Sequence, residues 1–487
     1  QHFSVFRRHM DNLVDKSGET LRSMRMSGDI SATELVDACE QRIKDLNGCL
    51  QAFVATCFEK ARLEAKEIDR SGQFGALMGL PVAIKDLNDV AGLPTTFGSH
   101  LFEKNIPSHD DDITKNIRNA KAIVLGKTNV PEHGFGATTT SPLFGSTGNP
   151  FNPLLSAGAS TGGGAAAVAS GMVPYATGSD FAGSLRTPAA FCGITGIRPS
   201  NGIVGTNRRS MAWSSFDVEG PMARTAADCK RLLSAMSRAE RSDPLTARPD
   251  SRLKRPAETL PLSTLRVAVS EDLGFAPMCK SYRAEFRKKI SLFKNLFKSV
   301  RDDHPLLADA EKTFMTLRGL GFVADFGPME ADFGEKLGVV VLEELDRARK
   351  LDAEQIGWAL KSHTKIFRDA INFFDNYDIL ITPAASVPPF PHADVYPNEI
   401  DGKPLDGYLI WEAISWGITI TQCPAVVIPC GGSNGLPFGL QIVGPHLADG
   451  WLLDIANTLE TVFFGDTELG RLSPNLTKLF TEPKEEN

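Results

Sequence analysis

From Ser31 onward, Leu35, Ala38, Cys39, Ile43 and Leu46 fall on one helical face. Ser31-Ala-Thr-Glu34 has capping-box spacing ahead of them, so the pattern predicts an amphipathic packing helix to about Asn47. After Gly79 the texture changes. Leu80-Pro-Val-Ala-Ile84 is a short apolar run followed by Lys85-Asp86 and a Gly/Pro/Thr-rich stretch through Thr96, which predicts a buried strand with a lysine at its end. Residues 121 to 127, Lys-Ala-Ile-Val-Leu-Gly-Lys, predict a second buried strand. From Thr128 to Ala159 the chain is crowded with Gly, Pro, Asn, Ser and Thr, a long irregular region of the kind that carries function.

The stretch from Ser237 to Thr259 is polar and Pro-punctuated, a surface connection. Leu265–Val269 resumes as a strand, about 280 to 375 reads mostly helical, and Tyr377–Pro383 and Ala425–Pro429 read as buried strands ending in proline. Strands alternate with helices, and no repeat recurs at roughly 20 to 50 residues, which predicts one large α/β sheet whose halves are joined by the connection near 240.

At 487 residues, with 42% hydrophobic and 23% charged, the chain has the usage of a soluble folded protein. The net charge of −7 supplies no global positive field, so neither nucleic acid nor anionic lipid is an expected partner. No run of about 18 apolar residues occurs, so no membrane span is expected. The eight cysteines are dispersed without disulfide or zinc spacing, and read as thiols of a reducing, cytoplasmic compartment. The opening Gln-His-Phe-Ser-Val-Phe-Arg-Arg has neither an initiating Met nor the apolar core of a signal peptide.

The densest chemical anomaly lies at 156 to 188, where two Gly/Ser loops bracket an Ala-rich segment that reads as a buried helix. Glycine turns and tight alanine packing are the ordinary reading of such a stretch. Gly158-Ala-Ser-Thr-Gly-Gly-Gly-Ala lacks the lysine of a phosphate-binding loop, and Ser184 has Ala182 and Arg186 where a hydrolase elbow needs glycines. None of the nine histidines sits in a compact ligand pattern, so no metal is expected. What remains is a strand-end lysine and two serines in glycine-rich loops. A serine becomes nucleophilic when a base takes its proton, and a lysine serves as that base when burial leaves it neutral. A second serine can relay the proton, and a glycine-rich turn lets backbone N–H groups converge on an oxyanion. Asp180 and Arg186 flank Ser184 and can hold that turn.

Residues from about 79 to 200 resemble the amidase signature family of Ser-cisSer-Lys hydrolases. Lys85 lies in Gly79-Leu-Pro-Val-Ala-Ile-Lys85-Asp86, Ser160 falls on the bridging serine of G-G-S-S-G-G, and Ser184 on the nucleophile of G-x-D-x-G-G-S-x-R. Similar stretches continue in Pro188–Pro199, Gly220–Arg224, Pro424–Pro429 and Gly435–Gly444. The resemblance implies a single large domain with a mixed twisted central sheet flanked by helices, with a helical segment over 1–70 packed on a catalytic domain of 71–487. It implies Ser184 as nucleophile, Ser160 as bridge, Lys85 as base, and the N–H groups of Phe181, Ala182, Gly183 and Ser184 as oxyanion hole. It implies no cofactor, and homodimers are common in the family. Ala159, Thr161 and Ala182 depart from the family pattern; Thr161 keeps a hydroxyl, while Ala182 adds a Cβ where φ > 0 is costly.

The resemblance leaves several roles open. Arg198-Pro-Ser-Asn-Gly-Ile-Val-Gly-Thr-Asn lacks the K-P-T-Y-G-x-V-S-R of the family's tRNA-dependent amidotransferase members, which favours a free-standing hydrolase. The chain looks most like soluble bacterial aryl acylamidases, nylon-oligomer hydrolases and urethanases, acting on a small-molecule amide or carbamate. An amidotransferase-like component working with a protein partner, or a noncatalytic scaffold, are the alternatives. Tyr408, Trp411, Trp416 and Ile418 fall where such enzymes shape the substrate pocket, a segment that reads equally as an aromatic core helix; the loop Thr138–Thr147 is a further expected contact. Two tryptophans at a pocket would favour an apolar or aryl substrate.

Overall fold

The first long helix starts where its cap predicts. In the computed structural model, which describes residues 13–479, α1 spans Ala32–Leu50, with Ser31 Oγ accepting from Glu34 N and Glu34 Oε2 from Ser31 N. It buries Leu35, Ala38, Cys39, Ile43 and Leu46. The chain then forms a strand that the sequence pattern does not predict, β1 (Phe53–Thr56), so residues 1–70 are not helical throughout. This strand is short and only its first residue is fully buried, which leaves no alternating pattern to read. Helix α2 (Phe58–Ser71) packs back on α1.

Among the described residues, one sheet of 11 strands forms the core. Along the chain its remaining strands are β2 (Pro81–Lys85), β3 (Ile123–Thr128), β4 (Tyr175–Asp180), β5 (Thr195–Arg198), β6 (Val218–Ala223), β7 (Arg266–Val269), β8 (Ser299–Asp302), β9 (Ile379–Pro383), β10 (Ala425–Ser433) and β11 (Leu436–Val443). In space they run β1-β3-β2-β4-β6-β5-β10-β11-β9-β7-β8. The sheet is mixed. β2 is parallel to both β3 and β4, whereas β6 is antiparallel to β4 and β10 to β5. The polar connection after residue 237 carries the chain from one half of this sheet to the other. β8 is another strand the pattern does not predict, inside a region that reads as helical; it is a half-exposed edge held by parallel pairing to β7.

Two small helices serve the site. α3 (Gly162–Ala169) is buried along its length, and close packing explains its composition: a Cβ on Gly163 would meet Asn129 N at 2.5 Å and Ala52 O at 2.9 Å. α4 (Arg186–Cys192) begins two residues after Ser184 and packs against β10 and β11. Further along, α5 (Ala310–Phe326), α6 (Val339–Ala348) and α7 (Ala353–Asn376) form a helical cap that carries its own small apolar cluster of Phe322, Leu337, Val341 and Leu345. No helix of the described residues is long and apolar enough to cross a membrane.

Candidate active site

Lys85 ends β2, where its backbone N–H donates to Thr177 Oγ1 at 3.2 Å. Its fully buried Nζ donates to Ser160 Oγ at 2.7 Å, Thr161 Oγ1 at 2.9 Å and Ser179 Oγ at 2.9 Å. All three partners are hydroxyls. Lys127, at the end of neighbouring β3, has a carboxylate instead: its Nζ lies 2.8 Å from Asp86 Oδ1. That pair keeps Lys127 a structural cation, whereas Lys85 is held by neutral groups that accept from an ammonium or, with one hydroxyl turned, donate to an amine. Burial pushes the Lys85 ammonium down to about 8, against the upward pull of Glu219, Asp217 and Asp180. Such a lysine can act as a base under mildly alkaline conditions.

Ser160 touches both ends of the expected relay, though not by the expected bonds. Its Oγ accepts from Lys85, but its backbone N–H, not its hydroxyl, donates to Ser184 Oγ at 3.2 Å. All described peptide bonds are trans, so the cis serine implied by the resemblance is not observed. Thr161, the departure from the family pattern, keeps its hydroxyl on Lys85.

The turn carrying Ser184 hangs from Asp180. Its carboxylate accepts from Gly183 N at 3.0 Å and Leu185 N at 3.1 Å, and from Arg186 Nε and Nη2, both at 2.9 Å. Arg198 Nη1 reaches the Asp180 carbonyl and, at 3.4 Å, Oδ1. Burial alone would raise this carboxyl; the two guanidiniums and the backbone donors hold it down to about 2. The bond to Asp180 corrects one expectation, because it turns the Gly183 N–H away from any oxyanion. The N–H groups of Phe181, Ala182 and Ser184 meet no acceptor among the described residues.

Ala182 is also compatible with the turn after all. Its φ is negative, and the left-handed conformation falls on Gly183 alone, at φ 138. A Cβ there would lie 2.7 Å from Ser415 Cβ. Gly183→Ala is therefore expected to slow amide hydrolysis roughly a hundredfold by displacing the oxyanion donors. Ala182→Gly is expected to change it less than about threefold, because no unusual φ depends on that residue. Initial rates on one anilide check both.

Ser160, Ser179 and Ser184 open on a cleft of about 410 Å³. One wall is aromatic: Phe102 meets His133, His133 meets Phe326, and Phe135 lies 4.5 Å from Phe322, ring to ring. Burial lowers His133 to about 4, so it is a neutral ring in this wall. The other wall carries Arg208, Arg209, Asp217 and Glu219.

Of the four pocket residues expected from sequence, the structure brings only Tyr408 to the cleft, where Arg318 donates to its hydroxyl. Trp411, Trp416 and Ile418 are core. Trp411 stacks on Phe191, and Trp416 stacks on Phe314 at 5.0 Å and donates from Nε1 to Leu409 O. Within the expected 138–147 loop, Thr139 braces the bridging loop instead, donating to Ala159 O and accepting from Gly162 N. Ser179 is legible in principle, since it alternates with Thr177 on a strand face turned to Lys85. Phe135, Phe322 and Glu219 give no such signal, because three separate segments meet only in the fold.

The Amidase family profile matches residues 34–453. An acylamidase of Rhodococcus erythropolis is 30% identical over 460 residues, covering 93% of this chain and 96% of the relative. A glutamyl-tRNA(Gln) amidotransferase subunit of Bacillus licheniformis is 30% identical over 478 residues, covering 92% and 97%. Among solved structures, a bacterial aryl acylamidase superposes with a TM-score of 0.85 at 24% identity over 97% of this chain and 99% of that one. A 6-aminohexanoate cyclic dimer hydrolase gives 0.81 at 25% identity over 92% and 97%.

Proposed function

Because this chain belongs to the amidase signature family and is an amide-hydrolysing enzyme, we propose that it cleaves aryl or apolar amides, or the corresponding carbamates, through an acyl-enzyme on Ser184. One observation carries this reading: the Lys85–Ser160–Ser184 group opens on a cleft with a continuous aromatic wall. Neutral Lys85 accepts the Ser160 hydroxyl proton while Ser160 Oγ takes that of Ser184, whose oxygen attacks the carbonyl carbon. Charge collecting on the carbonyl oxygen is met by the free N–H groups of Phe181, Ala182 and Ser184. The C–N bond breaks as Lys85 returns a proton through Ser160 to the leaving nitrogen. Water then attacks the acyl carbon by the same relay, releasing the acid and restoring the serine. An aryl or alkyl group fits the Phe135, Phe322 and Phe326 wall, which takes over the role expected of the two tryptophans.

A second reading is favoured by one finding, the likeness to the amidotransferase protein of Bacillus licheniformis: the chain would release ammonia from an amide for a protein partner. Mass-spectrometric hydrolysis profiling distinguishes the two, with anilides, aryl carbamates, short aliphatic amides and glutamine as substrates and Ser184→Ala as control. Turnover of an anilide or aryl carbamate, lost in the control, is the expected result. Turnover of glutamine alone would transfer the assignment to the second reading.

A further inference from the structure

In the antiparallel register of β4 and β6, Glu219 lies directly opposite Ser179. Such partners project to the same sheet face with Cβ atoms about 4.5–5.5 Å apart. The Glu219 side chain therefore rises beside the Ser179 hydroxyl that accepts from Lys85 Nζ, and it opens on the same cleft floor. Only 7% of Glu219 is exposed, yet its carboxyl is half satisfied. Oε1 accepts from Asn88 Nδ2 at 3.1 Å and lies 3.6 Å from Arg208 Nη1, while Oε2 has no partner among the described residues. An unpaired oxygen buried that deeply is costly to keep, and a carboxyl placed so is a candidate for a functional task.

The other charges around Lys85 have their own counterparts. Asp180, on β4, is engaged by Arg186 and Arg198. Asp217, just before β6, has Arg209, Arg208 and Arg198 nearby. Behind Glu219, Asn88 also donates to Asp111 Oδ2 at 2.9 Å, and Arg208 lies 3.5 Å from that same oxygen. Arg208 is thus shared among Asp111, Asp217 and Glu219 and is partly exposed, so it neutralises Glu219 incompletely. Of the carboxyls that pull Lys85 upward, Glu219 acts most strongly, and burial raises its own carboxyl above the usual range.

We propose that Glu219 is a positioning residue whose charge sets the pH at which Lys85 becomes a base. As a carboxylate it retains the Lys85 ammonium; as a neutral acid it lets the amine form. This rests on the reading of Lys85 as the base of the reaction. The pair makes the resting floor electrically neutral, so a buried lysine can be kept beside three hydroxyls without a contacting carboxylate that would fix its proton permanently.

The test is the pH profile of kcat/KM for wild type, Glu219→Gln, Glu219→Asp and Glu219→Met on one anilide. In wild type, activity rises with a midpoint near 8, where Lys85 loses its proton. Removing a negative charge that faces the ammonium makes deprotonation easier, so Glu219→Gln moves the midpoint down by about one pH unit. Glu219→Asp keeps the charge and holds the midpoint within about 0.3 unit of wild type. Glu219→Met, of similar volume and apolar, is the second neutral variant and decides the matter if the glutamine variant does not fold. Activity lowered equally at every pH, with the midpoint unmoved, would overturn the proposal and leave Glu219 a structural residue. Lys85→Met and Ser184→Ala run in parallel separate the two levels: turnover retained in either one refutes the assigned machinery itself, whatever Glu219 does.

Discussion

Ser184→Ala is expected to lower kcat/KM by at least about a thousandfold on every substrate the wild type hydrolyses, with the fold intact. The hydroxyl accepts one hydrogen bond, from Ser160 N at 3.2 Å, so its removal leaves only a backbone N–H at the edge of a wet cleft unsatisfied. Stability should change by less than about 1 kcal/mol. Lys85→Met should produce a comparable loss in turnover, because no other buried lysine or histidine among the described residues contacts Ser160. A fluorophosphonate that labels the wild-type serine should leave Ser184→Ala unlabelled and label Lys85→Met slowly at all pH values. In the wild type the labelling rate should climb as pH passes about 8, the sign required of a group that must lose a proton to act. Full labelling of Ser184→Ala would refute the nucleophile, and a flat pH profile the base.

Asp180→Asn is expected to cost stability as well as activity. One buried carboxylate accepts two bonds from Arg186, a contact from Arg198 and the N–H groups of Gly183 and Leu185. An amide cannot accept all of these, and its loss of charge removes the carboxylate paired with the buried Arg186 guanidinium and one of the two acids beside Arg198. Breaking a buried pair in this way costs roughly 3–5 kcal/mol. The same change frees the Gly183 N–H and loosens the turn beneath Ser184, so activity should fall in whatever fraction remains folded. Linkage ties the same bonds to pH. The carboxyl is held at about 2 in the folded chain against a usual 3.8, so its stabilisation is fully present above the higher value and is lost as pH falls toward the lower one. Urea unfolding between those pH values should therefore show a steep decline in wild type that is shallower in Asp180→Asn. Equal slopes would show that Asp180 is not the carboxylate responsible.

The sequence by itself determined the elements whose residues are local and periodic. Ser31 and Glu34 cap α1 because both arms of the box lie within one turn, and Pro81–Lys85 is a strand because its apolar run is unbroken to the lysine. Lys85, Ser160 and Ser184 are likewise legible, each at the end or turn of such an element. Elements without a burial pattern are not: β1 and β8 are short edge strands that exist through pairing with β3 and β7. Trp411 and Trp416 show the converse, since a large aromatic residue fills a pocket wall or a core equally well and only the packing of Phe191 and Phe314 against them decides. The partners of Lys85, the diversion of the Gly183 N–H to Asp180, and the placing of Glu219 opposite Ser179 depend on strand register and on segments far apart in the chain. Register is a property of pairs of strands, and no single stretch of residues carries it.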